Sequence, residues 1–272
     1  MHAASRDALD KTRQSLTTAL AADPAGGATG AKVGQELFQV VDILEDNRSL
    51  RVAVADTAAP VEARQDLVRG VFGWKVDQTT LDVLLAAVSE DWSNPRELRQ
   101  GLVLLGREAL LRSAETQDQL ETVEDELFRL GRIVAANPEL EQALADRTAE
   151  SDAKRALLAE VLYGKVTAVT EALASQSVAL PVAMPADDIM EISRQAAELR
   201  GRKVAIVTSA EPLTEQQSDD LRGRLSALYG REIAIHNDVD AELLGGAVIR
   251  VDYEIIDGSV AGRLDAMRRT LR

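Results

Sequence analysis

Apolar positions recur at helical spacing through roughly the first two hundred residues, and the pattern then switches to short β-branched runs. Leu120, Val123, Leu127, Leu130 and Val134 follow each other at intervals of 3, 4, 3 and 4, which places one buried stripe on a helix. The pattern lasts about two heptads where a coiled coil needs three or four, so it predicts a bundle helix packing on its own neighbours. After residue 200, Lys203–Ser209 is a short run of β-branched residues and reads as a strand. Thr214 and Gln217 then have the spacing of a capping box, Leu221, Leu225 and Leu228 carry a helix, and Gly230 stands where a C-terminal cap belongs. Residues 232–236 alternate as a second strand, and Gly245-Gly246 precedes a third over 247–253. A short strand at 254–256 meets the turn chemistry of Asp257-Gly258-Ser259. Val260, Leu264, Met267 and Leu271 then form the stripe of a terminal helix, with Arg263, Arg268, Arg269 and Arg272 off it.

The helical region carries an internal duplication at an offset of 90 residues. Glu36-Leu37-Phe38 matches Glu126-Leu127-Phe128, Asn47 matches Asn137, and Leu50 matches Leu140. The register continues through Ala53, Ala55 and Asp56 to Ala63, Leu67 and Val71, then through Lys75-Val76, Thr80, Val88 and Pro95. Phe and Asn are scarce here, so one register over some sixty residues is not a product of shared composition. Arg6-Asp-Ala-Leu9 matches Arg107-Glu-Ala-Leu110 at an offset of 101, which puts about eleven extra residues in the first copy. The Pro- and Gly-rich segment 21–30 is predicted to hold them as a loop, before a long helix from Val33 to Leu44. The expected fold class is α+β: two tandem all-α helical bundles, residues 1–105 and 106–200, followed by a small C-terminal α/β domain, 201–272.

Composition narrows the chemistry. The chain has 272 residues, no cysteine and a formal charge of −14, so disulfides and thiolate metal sites are excluded and nucleic acid is an unfavourable partner. Short basic patches occur only near 200–203 and at the terminal arginines. No run approaches the roughly 18 apolar residues of a membrane span, and residues 1–7 lack the pattern of a secretory signal. His2, expected at a mobile terminus, and His236, expected on a strand, have no second ligand at metal spacing. No phosphate-binding loop or dinucleotide fingerprint is present, and Gly245-Gly246 leads into a strand where a phosphate site needs a helix N-terminus. Carboxylate runs such as Asp187-Asp188 and 124–126 read as solvated faces. Trp74 and Trp92 are expected mainly in the core, with an interface anchor as the other reading. No catalytic residue, cofactor-binding residue or metal ligand is assigned.

The C-terminal residues resemble the signature of the ATP synthase delta subunit family, the bacterial relatives of the oligomycin-sensitivity-conferring protein. The resemblance lies in Leu244-Gly245-Gly246, the strand containing Ile249 and Arg250, and Asp257-Gly258-Ser259, followed by Arg263-Leu264. Asp252-Tyr253 departs from the Gly-Asp usual between the strands. Asn137-Pro-Glu-Leu140 and Ser151-Asp-Ala-Lys-Arg155 resemble motifs of the family's helical domain, so residues 1 to about 100 stand as an additional copy that the short form lacks. The resemblance implies a non-catalytic connector without cofactors at the cytoplasmic face of the cell membrane, peripheral through the F-type ATP synthase. It implies a helical domain that grips the N-terminal helices of alpha subunits and a C-terminal unit that holds the b subunits of the peripheral stalk. The extra copy is expected to bind something else, the stalk. A cytoplasmic helical scaffold or adaptor unrelated to ATP synthase stays open as the second reading.

Overall fold

A computed structural model describes residues 1–21, 26–146, 148–181, 184–200, 203–230, 233–240, 243, 245–251 and 254–260. The helical region opens with α1 (Ala3–Ala21), α2 (Gly26–Asp46), α3 (Arg48–Val54), α4 (Val61–Phe72) and α5 (Gln78–Ser89). It continues with α6 (Pro95–Thr116), α7 (Leu120–Ala136), α8 (Pro138–Ala145), α9 (Ser151–Leu162), α10 (Ala168–Ala179) and α11 (Pro185–Leu199). The duplication is visible in these bounds: α4 and α9 are 90 residues apart at both ends, as are α5 and α10, and α6 and α11 start 90 apart. The same local chemistry sets the breaks. Asn47 Nδ2 donates to the Ile43 carbonyl at 3.0 Å, and Asn137 Nδ2 to the Ile133 carbonyl at 2.6 Å, each adding a side-chain bond to a carbonyl in the last turn of the ended helix.

Helix α6 belongs to both copies. Its N-terminal part closes the first bundle as α11 closes the second, and from Arg107 it opens the second as α1 opens the first. One core runs from Ala8 to Ala109 and takes Leu98, Leu102 and Leu105 from α6. The other runs from Leu110 to Ala196 and takes Leu110, Leu111 and Ala114 from the same helix. A line between residues 105 and 106 therefore falls inside a single unbroken helix. The bundles also interlock, since Ala31 and Phe38 of α2 pack on the second core while Leu180 packs on the first. The α7 stripe Leu120, Val123, Leu127, Leu130 and Val134 is wholly buried in the second core, as a bundle helix requires.

The loop predicted over 21–30 is corrected in part. Residues 26–30 are the first turns of α2, and 22–25 lie outside the described residues. The glycines serve close approach here: a Cβ at Gly34 would come within 2.6 Å of Leu110 Cγ and 2.8 Å of the Gly106 carbonyl oxygen, and one at Gly30 within 2.9 Å of the Ala109 oxygen. The Ser113 hydroxyl donates to the Gly27 carbonyl at 2.5 Å, tying the same face to α6.

The C-terminal unit consists of β1 (Lys203–Ser209), α12 (Glu215–Tyr229), β2 (Ile233–Val239), β3 (Ala247–Val251) and β4 (Glu254–Asp257), with sheet order β2-β1-β3-β4. β1 and β2 run parallel around the α12 crossover, and β1/β3 and β3/β4 are antiparallel. The Thr214–Gln217 capping box forms with both of its bonds, and Gly230 ends α12 at φ 65°, in the left-handed region that glycine enters without steric cost. The core is small: Ala205, Leu225, Ile233 and Val251, with Leu221, Tyr229, Ile235 and Ile249 packed around it. β2 is longer than expected, reaching Val239. Polar Asn237 is retained in it because its Nδ2 donates to the Val207 carbonyl and its Oδ1 accepts from the Leu213 amide, at 2.9 and 2.8 Å. The predicted terminal helix lies outside the described residues after Val260, as do Asp252 and Tyr253.

Candidate functional site

The glycine-rich signature assembles a backbone lock between the start of β3 and the end of β4. Gly245 and Gly246 have φ of 127° and 80°, and a Cβ at Gly246 would lie 2.5 Å from the Gly258 carbonyl oxygen and 2.9 Å from Ser259 Cα. The second segment donates to the first at that contact: Gly258 N–H to the Ala247 oxygen at 2.9 Å, and Val260 N–H to the Gly245 oxygen at 3.0 Å. Asp257 accepts from the Ser259 amide at 2.9 Å, and the Ser259 hydroxyl and amide hold its carboxyl below the ordinary aspartate range. Ile249, paired with Ile256, packs on the small core, while Arg250, paired with Ile255, is exposed. The structure thus brings Gly245, Gly246, Asp257, Gly258 and Ser259 together and leaves Arg250 outside. Leu244 and Leu264 lie outside the described residues. The lock is main chain against main chain and offers no reacting side chain.

Each helical copy carries the same internal clamp. Glu36 Oε2 accepts from the Asp77 amide at 2.9 Å and the Thr80 hydroxyl at 2.5 Å. Glu126 Oε2 accepts from the Thr167 amide and hydroxyl, both at 2.9 Å, and the Thr170 hydroxyl at 2.6 Å. These carboxylates fix the N-terminus of α5 or α10, whose first amides need an acceptor.

Just before that clamp, each copy exposes one large aromatic at the helix-connecting tip: Trp74 is 75% exposed and Tyr163 is 86% exposed. Trp74 is therefore a correction to the expected core role. Lys75 Nζ stands 4.5 Å from its ring centroid. Trp92 does lie in the core at 3% exposure, its Nε1 donating to the Ala87 carbonyl at 2.7 Å. His2 is a second correction. Its amide and Nδ1 meet the Glu97 carboxylate at 3.1 and 2.8 Å, and Met1 packs on the first core, so this end is tied down. His236 is in β2. Among the described residues no cluster of His, Asp or Glu could hold a metal ion, and no helix is long and apolar enough to cross a membrane.

Comparison with known proteins gives the architecture a lineage. The family model for the ATP synthase delta (OSCP) subunit matches residues 108–271. This chain belongs to that family. It is 53% identical over 270 residues to ATP synthase subunit delta of Corynebacterium efficiens, covering 99% of this chain and 98% of the relative. It is also 52% identical over 275 residues to that of Rhodococcus opacus, covering 100% of this chain and 99% of the relative. Delta subunits of this family are non-catalytic structural subunits, and membership removes the reading as an unrelated scaffold. The OSCP match begins inside α6, where the second copy opens. The first copy lies almost wholly outside it, yet the actinobacterial relatives match end to end.

In this OSCP-family chain the surfaces suited to partners are grooves and links. Between α1, α6 and α11 an open cavity of about 550 Å³ has Leu104, Leu111 and Leu199 among its lining residues. Charges of both signs flank it: Arg13 and Arg112 meet Glu108 at 2.7 and 2.9 Å, and Arg194 pairs with Glu191 and Glu198. Elsewhere on α6, Arg107, 4% exposed, donates from Nε to Gln176 at 2.7 Å and joins α6 to α10; burial pushes its guanidinium pKa down. The sheet unit meets the second bundle through a two-bond contact of Arg132 on α7 with Asp238 on β2. Arg200, from the predicted basic patch, pairs with Glu121 and Glu124 at 3.0 and 3.5 Å, and residues 201 and 202 lie outside the described residues.

Proposed function

We propose that the chain is the connector of the peripheral stalk in an F-type ATP synthase. The helical region grips N-terminal helices of alpha subunits on the catalytic head, and the C-terminal unit holds the b subunits. The part resists rotor torque during proton-driven ATP synthesis, and it reaches the cytoplasmic face of the cell membrane only through the complex. Family membership over the whole chain is the observation that carries this reading. The α1/α6/α11 groove supports it, because Leu104, Leu111 and Leu199 set among paired charges of both signs suit an amphipathic helix laid in a groove. Stiffness comes from the shared helix α6 and from side chains of each bundle entering the other's core. The three-part division 1–105, 106–200 and 201–272 belongs to the same proposal, and so does a structural role for Leu244, Gly245, Gly246, Ile249, Arg250, Asp257, Gly258, Ser259 and Leu264.

Titration of the full chain with an alpha N-terminal peptide tests the groove. Gln195→Trp, which fills it, is expected to weaken binding by about tenfold or more without lowering the melting temperature, and Arg194→Gln, which removes a charge from its edge, to weaken binding by a smaller factor. Unchanged affinity in both variants would remove the groove from the account.

A further inference from the structure

The two copies differ on a face that neither the lock nor the α1/α6/α11 groove uses. At the start of α11 the second copy has Ala186, Ile189 and Met190, with Ala186 and Ile189 buried. At the corresponding places on α6 the first copy has Arg96, Arg99 and Gln100, and Arg51 on α3 stands where the second copy has Glu141. The bundle therefore does not need cations here. In the first copy they line an open cavity of about 490 Å³, closed on one side by Leu180 and Pro181 of the second copy. It is a place of three guanidinium groups and one carboxylate, Glu45, in a chain of net charge −14.

The local bonds hold the cluster in place. Arg51 Nη1 donates to the Leu44 and Glu45 carbonyls at the end of α2, at 2.9 and 3.1 Å, where a cation meets the negative end of the helix. Glu45 Oε2 accepts from both Arg51 and Arg99, at 3.0 and 2.5 Å. Arg99 uses only Nη1 in these bonds, and Arg96 is exposed and makes no ion pair among the described residues. Two positive groups thus stand beside the apolar Val103, Leu180 and Pro181.

We propose that this junction docks an acidic segment of a partner polypeptide, presenting a carboxylate to Arg96 and Arg99 and an apolar side chain to Val103, Leu180 and Pro181. A carboxylate matches the planar donor fork of arginine, and the apolar wall gives a neighbouring side chain a dry seat. Glu45, held inside the cavity, opposes a multiply charged phosphate more strongly than a single carboxylate. The site draws residues from both copies and exists only in the duplicated form. It does not rest on which subunit the α1/α6/α11 groove holds.

The test uses the full chain labelled with ¹⁵N and three probes: an acetylated octapeptide of alternating glutamate and leucine, its glutamine counterpart, and inorganic phosphate. The glutamate peptide is expected to shift the amide resonances of residues 96–100 and 180, with the glutamine peptide binding at least about tenfold more weakly. Arg96→Glu should abolish the shifts while the melting temperature holds, and if that variant fails to fold, Arg96→Gln makes the same comparison. Equal binding of the two peptides, wild-type binding by the Arg96 variant, or phosphate moving the same resonances at lower concentration than the peptide would each overturn the proposal.

Discussion

The first and second helical copies share their skeleton and differ in what is hung on it. Asn47 and Asn137 end equivalent helices with the same side-chain bond, and Glu36 and Glu126 clamp equivalent helix starts. By contrast, Arg107 is buried against Gln176, whereas its counterpart Arg6 is exposed and, among the described residues, bonds to the Met1 carbonyl at 3.2 Å. The basic junction is present on one side only. What persists between the copies is what terminates and orients helices, and what has diverged includes both a buried link at Arg107 and the basic surface at the junction. Each difference can be broken separately.

The largest expected effect is Trp92→Ala, which empties a core position against Gly101, where the 90-residue register gives the second copy a valine in sequence. It should cost about 3–5 kcal/mol in denaturant unfolding, and a loss under 1 kcal/mol would show the ring to be dispensable. The two clamps come next. Glu126→Ala and Glu36→Ala each strand buried or half-buried donors, worth about 1–3 kcal/mol, and Glu126→Ala should cost more because it serves three donors against two. The reverse order would mean the copies are less alike than their bonds suggest.

Acid separates the copies in a third way. The Ser5 hydroxyl and then the bonds from His2 hold Glu97 below its ordinary value of 4.5, so the folded state favours the ionised form. The stabilisation is therefore present above the unfolded value and disappears as pH falls through the lower native one. The protection of α1 amides against exchange, taken relative to their intrinsic rates, should hold at neutral pH and fall as acid protonates Glu97, and Glu97→Gln should flatten that dependence. Loosening of α1 already above pH 5 would contradict the assignment. The smallest effect on stability is expected at the aromatic tips: Trp74→Ala and Tyr163→Ala should each stay within about 0.5 kcal/mol of the parent by thermal melting, as exposed positions do. A larger loss would mean the rings pack on the bundle in solution.

Much of this was legible before the fold was known, because the governing interactions are local or periodic. The 90-residue register, the buried stripe of α7, the Thr214–Gln217 box and the Gly230 cap all rest on spacings within one element or on repetition of one. The start of α2 was hidden because glycines at 27, 30 and 34 resemble a loop until α6 is brought against them, and helix–helix approach is a tertiary property. Trp74 looked like core for a similar reason, since hydrophobicity states what a side chain prefers and only the packed neighbours decide whether space exists. The shared role of α6 and the links Arg155–Asp42 and Arg132–Asp238 join residues 113 and 106 positions apart, beyond any periodic signal. For the lock at Gly246 and Gly258, the sequence carried the residues and the fold supplied the reason: a side chain at Gly246 would collide with main chain.

The central claim is that one rigid helical body and one small sheet unit hold different partners. Zero-length carboxylate–amine cross-linking of the intact complex, released gently from membranes through a tag on this chain, tests it most directly, since the chain carries 45 Asp and Glu residues spread over both units. The account predicts alpha-subunit cross-links confined to residues 1–200 and b-subunit cross-links at residues 203–272. Recovery of the chain without alpha and b, or cross-links of both to the same bundle with none to the sheet unit, would contradict it.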